Sequence, residues 1–297
     1  MRTNIKPDMS KFVVFILSHG RPHQRKTYDL LRSCGYTGDI IIVCDNEDGR
    51  IEEYYEQYGR EHVYVFDKAL VARDVDSMNN FGNRKAILFA RNACFDIARS
   101  LGYLYFQELD DDYYYFGHHR KERAKKTKKY DLIASWFIEF LLNAGPNVKT
   151  IAFSQGGDHI GGYDESVIIK RKAMNSFFCL VDRKIDFMGI LNEDVNAYVG
   201  GGIRGDLFFT FMPFQLDQDD TQQNKGGISD LYLDVGTFVK SFYTIMVSPS
   251  SVKIALMGAK FTRLHHRIDY KKTLPCIIRE RYRHDCQDNT TAQLSLF

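Results

Sequence analysis

Four short apolar runs in the first 110 residues restrict the fold of this 297-residue chain more than any other feature. They lie at 11–18, 39–48, 62–67 and 103–109. The segments between them place apolar residues at helical spacing, most clearly over 83–101. Such alternation of strand and helix is typical of a mainly parallel sheet covered by helices on both faces. We therefore predict an α/β fold with a less regular second half.

Polar clusters follow three of these runs at the point where each predicted strand ends. They are SHGRPH at 18–23, CDNED at 44–48 and LDDDY at 109–113. In open α/β sheets, ligands bind outside the carboxyl ends of the strands. We therefore expect the three clusters to share one edge of the sheet and to form the functional site.

The composition is that of a protein with a substantial core, because 44% of its residues are hydrophobic and 14% are aromatic. The six cysteines are scattered and form no CxxC pair, as is typical of reduced thiols in the cytoplasm. No apolar window reaches the ~20 residues that span a bilayer, and we expect no secretory signal in the polar segment MRTNIKPDMS. We expect a cytoplasmic protein without a membrane partner or an obligate protein partner.

Three consecutive aspartates, Asp110, Asp111 and Asp112, follow the fourth apolar run. Carboxylate oxygens suit Mg²⁺ or Mn²⁺, which keep open positions for waters and substrate phosphates. The alternative is a solvated turn, or a helix N-terminus that favours acids. Because the preceding run is strongly apolar and ends at the expected ligand edge, we favour a metal site.

A second acidic pair, Glu193 and Asp194, lies in GILNEDVNAY. It can simply begin a helix that Asn192 caps, or it can present a carboxylate as general base to a bound hydroxyl. Further on, His265 and His266 offer imidazoles to a metal or a diphosphate, although paired histidines are more often structural and partly exposed.

Five segments occur in the order found in GT-A glycosyltransferases. SHGRPH resembles their nucleotide loop, CDNED their uridine-contacting acid, ARNACFDIAR their Arg-Asn helix, LDDDY their DxD motif and NEDVN their xED motif. The resemblance covers about 11–200 and implies a GT-A type, Rossmann-like sheet within a single domain at 1–297. The nucleotide-sugar half would occupy 10–117, the acceptor half 118–285, and a loose tail 286–297.

FILSHGRP, ELDDDYYYF and ILNEDVN are more narrowly similar to the phage TET-associated glycosyltransferases. That family is linked to sugar transfer onto 5-hydroxymethylcytosine in DNA, so the resemblance implies DNA with hydroxymethylated cytosine as the acceptor. It also implies the host cytoplasm as location if the chain is phage-encoded.

The resemblance implies a role for each matched residue. The nucleotide-sugar site would comprise Ser18, Gly20, Arg21, Asp45, Arg91, Asn92, Asp110 and Asp111, with Asp45 on the base and Arg91 and Asn92 on the diphosphate. Mn²⁺ or Mg²⁺ would be bound by Asp112, Asp110 and His265 or His266. Asp194 would be the base and Glu193 would orient the acceptor. The donor would be of the UDP-glucose or UDP-N-acetylglucosamine type, and the transfer inverting.

DNA binding must rest on local clusters, because a net charge of +2 does not by itself mark a nucleic-acid binder. Two stretches are rich in Lys and Arg: the first follows the aspartates, and the second runs from Arg263 to Arg283. Residues 113–116 (Tyr113, Tyr114, Tyr115, Phe116) offer aromatic rings to a base turned out of the duplex. The alternatives are a solvated basic segment and aromatic residues of the core. The predicted DNA-binding residues lie in the first basic run, after the aspartates: Arg120, Lys121, Arg123, Lys125, Lys126, Lys128 and Lys129.

Two other functions stay open at this point. The same chemistry can act on a glycan, a lipid-linked sugar or a protein. A nucleotidyltransferase, or an inactive nucleic-acid-binding module, can be built on a similar fold.

Overall fold

The computed structural model describes residues 4–79, 82, 84–120, 123–159, 167–168, 172–173, 175–218, 236, 238–257 and 262–274. The α-helices in these residues are α1 (Lys26–Ser33), α2 (Ile51–Tyr58), α3 (Lys68–Val71), α4 (Leu88–Ser100), α5 (Tyr130–Asn143), α6 (Glu193–Ile203) and α7 (Val239–Val247). The β-strands there are β1 (Phe12–Leu17), β2 (Asp39–Asp45), β3 (Val63–Phe66), β4 (Tyr105–Asp110), β5 (Tyr113–Arg120), β6 (Arg123–Lys126), β7 (Val148–Gln155), β8 (Val167–Ile168), β9 (Phe178–Leu180), β10 (Leu207–Gln218), β11 (Val252–Met257) and β12 (Arg263–Ile268).

One large sheet has the strand order β3-β2-β1-β4-β9-β7-β10-β5-β6, with β8 paired to β10. The first four strands are all parallel, as predicted from the apolar runs. The remaining strands are mixed, because β9 runs antiparallel to both of its neighbours while β7 and β10 are parallel to each other. The predicted α/β class is confirmed, and strict parallel pairing is confined to the part built from the first 110 residues together with the β7–β10 pair.

Every residue of β1 is buried, because helices cover both faces of the sheet. Val13, Phe15 and Leu17 share one core with α4 and α6, whereas Phe12, Val14 and Ile16 share the other with α1 and α5. Successive side chains of a strand point to opposite faces, so an unbroken apolar run is the expected pattern for a strand buried on both sides. Each such side chain contributes about 1.5–3 kcal/mol on burial.

Helix α4 is shorter than predicted at its start, since residues 84–87 are not helical and the helix begins at Leu88. Its end matches the prediction. Gly102 follows with a φ of +79°, and the amide of Tyr103 donates to the carbonyl of Ala98. This 6→1 bond and left-handed glycine form a Schellman C-terminus, which delivers the chain directly into β4.

A small C-terminal module, defined as residues 238–257 and 262–274, packs against α6. It contains α7 and the antiparallel pair β11–β12, and α7 contacts both strands as well as α6. A side chain at Gly202 of α6 would overlap the backbone carbonyl of Thr273, so the glycine permits this close approach. The module is thereby held against the helix that carries Glu193 and Asp194.

Strand β5 corrects one expectation about the aromatic residues after the aspartates. Tyr113 and Phe116 are fully buried in the core, so the proposal that they stack on a base is wrong. Inserting β5 between β10 and β6 turns these two rings inward, whereas Tyr114 remains 56% exposed.

Lys121, the tail 286–297 and the arginines of the second basic stretch beyond residue 274 lie outside the described residues. Within the described ranges no helix combines the length and apolar content needed to cross a bilayer.

Candidate active site

The carboxyl ends of β1, β2 and β4 meet at one edge of the sheet. β1 lies between the other two, and its last residue, Leu17, pairs with Val43 of β2 and with Asp110 of β4. Ser18, which follows, donates its amide to the carbonyl of Val43 at 3.2 Å. The three polar clusters therefore converge on one edge, as the sequence predicted.

Asp111 holds the loop that follows β1. Its Oδ2 accepts a hydrogen bond from Ser18 Oγ at 2.6 Å, and its Oδ1 lies 2.9 Å from Arg21 Nη2. Burial raises the pKa of Asp111 to about 6, although Arg21 and the Ser18 hydroxyl oppose that change. Because Asp111 is buried while Arg21 is one-third exposed, the carboxylate orients the arginine, and the arginine reaches the surface of the site.

Tyr54, which sequence reasoning missed, and Asp48, the last residue of the CDNED cluster, hold the same loop in place. The hydroxyl of Tyr54 accepts from the amide of Arg21 at 2.8 Å and lies 2.9 Å from Ser18 Oγ. Asp48 Oδ2 accepts from the amide of Gly20 at 2.6 Å, where φ is +72° and favours glycine. The loop between β1 and α1 is therefore fixed from β2 and α2.

Asp45 is engaged by two cationic or basic side chains. Its Oδ2 lies 2.8 Å from His19 Nδ1 and 3.1 Å from Lys68 Nζ, and Lys68 is buried. Burial alone would raise the pKa of Asp45, but the hydrogen bonds and charges of His19 and Lys68 outweigh it and hold that pKa below its usual value. Asp45 is thus an ionised anchor at the end of β2, and its predicted contact with a nucleotide base stays a prediction.

Arg91 stands at the centre of a buried charge cluster, called here the Arg91 cluster, with Glu108, Asp110 and Glu193. Only 1% exposed, it donates from Nη2 to Asp110 Oδ1 at 2.9 Å and from Nε to Glu193 Oε1 at 3.0 Å. Its Nη1 lies 3.6 Å from Glu108 Oε2. Burial disfavours the charge, but the three carboxylates raise the pKa of Arg91, so the guanidinium is protonated. The cluster joins α4, β4 and α6.

Three acidic side chains, Glu108, Asp110 and Glu193, share the single positive charge of Arg91. Burial raises the pKa of Glu108 to about 8, with Arg91 opposing the change. Burial also raises the pKa of Glu193, assisted by the charge of Asp194, and burial raises the pKa of Asp194. Asp194 is 6% exposed, and its Oδ1 accepts from the amide of Val195 at 2.7 Å. A carboxyl group with a raised pKa at the start of a helix is suited to proton transfer near neutral pH.

Asn192 connects the start of α6 to the C-terminal module. It occupies the N-cap position in a left-handed conformation (φ 56°), but its side chain makes no capping bond. Instead Nδ2 lies 3.2 Å from the carbonyl of Lys240, 3.1 Å from Thr244 Oγ1 and 3.2 Å from His266 Nδ1. The predicted helix start is therefore correct, whereas the capping role given to the Asn192 side chain is wrong, since that side chain reaches across to α7 and β12.

The predicted metal ligands suit a divalent cation in their chemistry. Burial, with the neighbouring His265 and Lys240, lowers the pKa of His266 to about 4, so the ring is the neutral form that binds metals. Asp112 is half-buried in the turn between β4 and β5. Among the described residues no group of three or more His, Cys, Asp or Glu side chains forms a ready cage. Mg²⁺ commonly uses one or two carboxylates together with substrate phosphates, so the aspartates suit such a cation, and the predicted set of Asp112, Asp110 and His265 or His266 stays a prediction.

Two residues predicted to steady a diphosphate use their donors within the protein. Arg91 pairs with the acids of its cluster. Asn92 is buried and donates to the carbonyls of Leu88 and Phe187 at 2.9 and 3.0 Å. Both hold α4 against its neighbours, and their predicted contact with a ligand stays a prediction.

Apart from Lys121, which lies outside the described residues, the predicted DNA-binding residues lie on β5, on β6 and on the segment after β6. Lys125, Lys126, Lys128 and Lys129 are exposed, and Lys128 Nζ donates to the carbonyl of Ser33 at 2.7 Å. Arg120 and Arg123 pair with each other in the backbone register of the hairpin. β6 is one of the two edge strands of the sheet formed by the described residues, and lysines on such an edge also prevent it from pairing with other chains.

Sequence comparison identifies one family. The model of the family described as TET-associated glycosyltransferase matches residues 12–227. Those residues include the loop after β1, the three aspartates and the start of α6. No curated protein sequence matches the chain.

Three solved structures illustrate the similarity in chain path. Glucosyl-3-phosphoglycerate synthase from Mycobacterium tuberculosis, solved with Mg²⁺ and UDP, is 10% identical with a TM-score of 0.45, over 86% of this chain and 87% of that one. S. aureus TarS 1–349 is 10% identical with a TM-score of 0.42, over 80% and 64%. GalNAc-T7, solved with UDP, GalNAc and Mn²⁺, is 9% identical with a TM-score of 0.42, over 73% of this chain and 47% of that one.

Proposed function

Because the chain belongs to the TET-associated glycosyltransferase family, we propose that it moves a sugar from a UDP-sugar to the hydroxyl of 5-hydroxymethylcytosine in DNA. The observation that carries the proposal is the Arg91 cluster. Through it, one guanidinium joins Asp110 of the LDDDY motif to Glu193 of the NEDVN motif, next to Asp194. The candidate donor site and the candidate base thus share one rigid support.

On the donor side, the loop from Ser18 to Arg21 is the proposed cradle for the nucleotide. Its backbone is fixed by Tyr54 and Asp48, so it is preorganised for a ligand. Arg21 is held by Asp111 with a third of its side chain exposed, which suits a contact with the donor phosphates. The nucleotide would be of the uridine type, with Asp45 contacting the base. The sugar would be glucose or N-acetylglucosamine.

Mn²⁺ or Mg²⁺ would be held by Asp112, Asp110 and His266 or His265. When bound, such a cation neutralises charge that develops on the leaving diphosphate. The role requires the neutral state of His266, because a protonated imidazole has no free lone pair for a metal, and a metal would compete with Asn192 Nδ2 for the lone pair on Nδ1.

On the acceptor side, Asp194 would take the proton of the hydroxymethyl group while Glu193, held by Arg91, orients that group. The freed oxygen attacks the anomeric carbon from the face opposite to UDP, and the bond from that carbon to the UDP oxygen breaks. Transfer with a separate base in this way inverts the anomeric centre. Tyr114 and the exposed lysines at 125–129 would contact the DNA.

Mass spectrometry of nucleosides tests the proposal directly. Duplex DNA containing 5-hydroxymethylcytosine is incubated with the protein, Mn²⁺ and a panel of UDP-sugars, then digested. We expect a mass gain of one sugar on hydroxymethylcytosine, none on cytosine in a matched duplex, and none with Asp194→Asn or with EDTA. Hydrolysis of a UDP-sugar without any modified nucleoside would point to a different acceptor. No mass gain with any donor would refute the proposal.

A further inference from the structure

Helix α7 of the C-terminal module exposes an apolar stripe in addition to the apolar side chains that it packs against the core. Apolar residues spaced four apart lie on one face of a helix, and in a soluble protein that face is expected inside. Val239 and Tyr243 do pack partly against the core. The exposed stripe, however, consists of Phe238 (43% exposed), Phe242 (44%) and Met246 (59%), whereas the fully buried side chains of α7 and its C-cap are the hydroxyls Ser241, Thr244 and Ser248.

The β11–β12 hairpin has one apolar face and one cationic face. Ile254 lies opposite His266, and Leu256 lies opposite Leu264, so these four residues share the face that meets Asn192. On the other face Lys253 lies directly opposite Arg267, and both side chains are exposed. Like charges in directly opposed positions destabilise an antiparallel pair, so this face gains from a bound anion.

The charge of the C-terminal module favours a polyanion. Its cations are Lys240, Lys253, Arg263, Arg267, Lys271 and Lys272, whereas its acidic residue is Asp269. These residues give the module a charge of about +5, which exceeds the +2 of the whole chain. A basic surface with exposed aromatic rings is the combination that binds nucleic-acid strands, through phosphates and through stacking on bases.

The module also borders the candidate base. Asn192, the residue before Glu193, contacts Thr244 of α7 and His266 of β12. The charge of Lys240 acts on both Asp194 and His266. The module therefore adjoins the start of α6, on the side where the apolar face of the hairpin meets Asn192.

We propose that the C-terminal module is a docking surface for the DNA acceptor, with the Lys253–Arg267 face on backbone phosphates and the Phe238–Phe242 edge stacked on exposed bases. This inference rests on the proposed function, because it assumes that the acceptor is DNA. It adds a second contact surface to that of the β5–β6 hairpin, further toward the C-terminus of the sequence.

Fluorescence anisotropy with a short labelled duplex that carries a single-stranded overhang tests the surface without any donor present. Lys253→Glu should weaken binding several-fold and reduce the slope of log affinity against log salt by about 1. The same change turns a repulsive cross-strand pair into an attractive one, so its melting temperature should be equal to or higher than that of the wild type. Weakened binding together with retained or raised stability cannot come from misfolding.

Phe242→Ala should weaken binding about tenfold with an unchanged salt slope, because stacking involves no counterion release. Lys11→Glu is the matched control, since Lys11 is exposed at the amino end of β1, away from the site. It should bind DNA like the wild type.

The inference is overturned if Lys253→Glu and Phe242→Ala bind DNA like Lys11→Glu. It is also overturned if the wild type self-associates through this face, or binds anionic vesicles and not DNA, and Phe242→Ala abolishes that association. Sugar transfer with normal DNA affinity in both variants would refute the docking surface and leave the proposed function intact. DNA binding through the module without any sugar transfer would support the docking surface and refute the proposed function.

Discussion

Arg91 donates from Nε to Glu193 Oε1 at 3.0 Å, across 102 positions of the sequence. The bond joins the first turn of α6 to α4, whose arginine also holds the end of β4 through Asp110. The distance between the aspartate cluster and the candidate base therefore depends on a buried guanidinium that is held by carboxylates of β4 and α6.

Replacing Arg91 by methionine should destabilise the protein strongly. The substitution leaves Glu108, Asp110 and Glu193 buried without their cation, and breaking a buried pair in this way costs about 3–5 kcal/mol. Urea unfolding at pH 7 measures the free energy of unfolding. Arg99→Met on the same helix removes an exposed ion pair with Asp96 and should cost less than about 1 kcal/mol. Equal losses in the two variants would contradict the central role of Arg91.

Glu108 should make stability fall as pH rises. Its pKa is about 8 in the folded protein against 4.5 in the unfolded chain. Between these values the folded state keeps a proton that the unfolded state has lost, so this group stabilises the fold at low pH and loses that contribution as pH approaches 8.

The corresponding experiment is urea unfolding from pH 5 to pH 8.5 in EDTA for the wild type and Glu108→Gln. Glutamine cannot ionise, so it should remove a slope of up to about 1.4 kcal/mol per pH unit and make the variant relatively more stable at high pH. Parallel curves for the two proteins would mean that Glu108 does not titrate in this range.

Asp194→Asn should lower the rate of sugar transfer by about 10²–10⁴-fold, since asparagine keeps the shape of the side chain but cannot accept the proton. Donor binding, followed by calorimetry, should stay near the wild-type value. Glu193→Gln keeps a hydrogen-bond acceptor for Arg91 and should lose less activity. If the two rate losses were exchanged, the base would be Glu193.

Asp45→Asn should expose the cost of burying Lys68. Without the carboxylate, the ammonium lies buried and unpaired, and we expect a loss of about 3 kcal/mol in unfolding free energy. Lys68→Met in the same chain should recover most of it. A drop in UDP affinity that persists in this rescued double variant would support a contact between Asp45 and the nucleotide, whereas normal affinity would leave Asp45 a purely structural anchor.

The lysines of the β5–β6 hairpin should act by neutralising DNA phosphates. Lys125→Glu with Lys126→Glu should weaken DNA binding and lower the salt slope by about 1 for each phosphate that is no longer neutralised, without any change in UDP-sugar hydrolysis. Anisotropy titrations at several salt concentrations measure both quantities. An unchanged slope would assign these lysines to protection of the edge strand alone.

The sequence was most informative where local pattern and burial agree. The all-apolar β1, the apolar interior of β2 and the left-handed Gly102 place the first four strands and their polar ends, because each depends on neighbours in sequence. The same alternation could have identified Glu108. It lies two positions before Asp110, on the side of β4 that shares its core with α4, so both carboxylates point toward that helix.

The interactions that sequence reasoning missed are long-range. His19 from the loop after β1 and Lys68 from α3 meet at Asp45, which ends β2. The side chain of Asn192 contacts His266, 74 positions away, and does not form the expected cap. Tyr113 and Phe116 turn inward because β5 pairs with β10, about 100 positions further along the chain. No local spacing encodes such pairings, since they depend on how distant segments pack.

The span between Arg91 and Glu193 also sets an order of assembly during synthesis. At 5–20 residues per second, the ribosome needs roughly 5–20 s to add the 102 positions that separate them. Throughout that interval the guanidinium can neutralise Glu108 and Asp110 but lacks its third carboxylate partner. The edge formed by β1, β2 and β4 is thus completed only when the start of α6 has emerged, so a ribosomal pause before residue 193 would prolong the incomplete state and its exposure to proteases and chaperones.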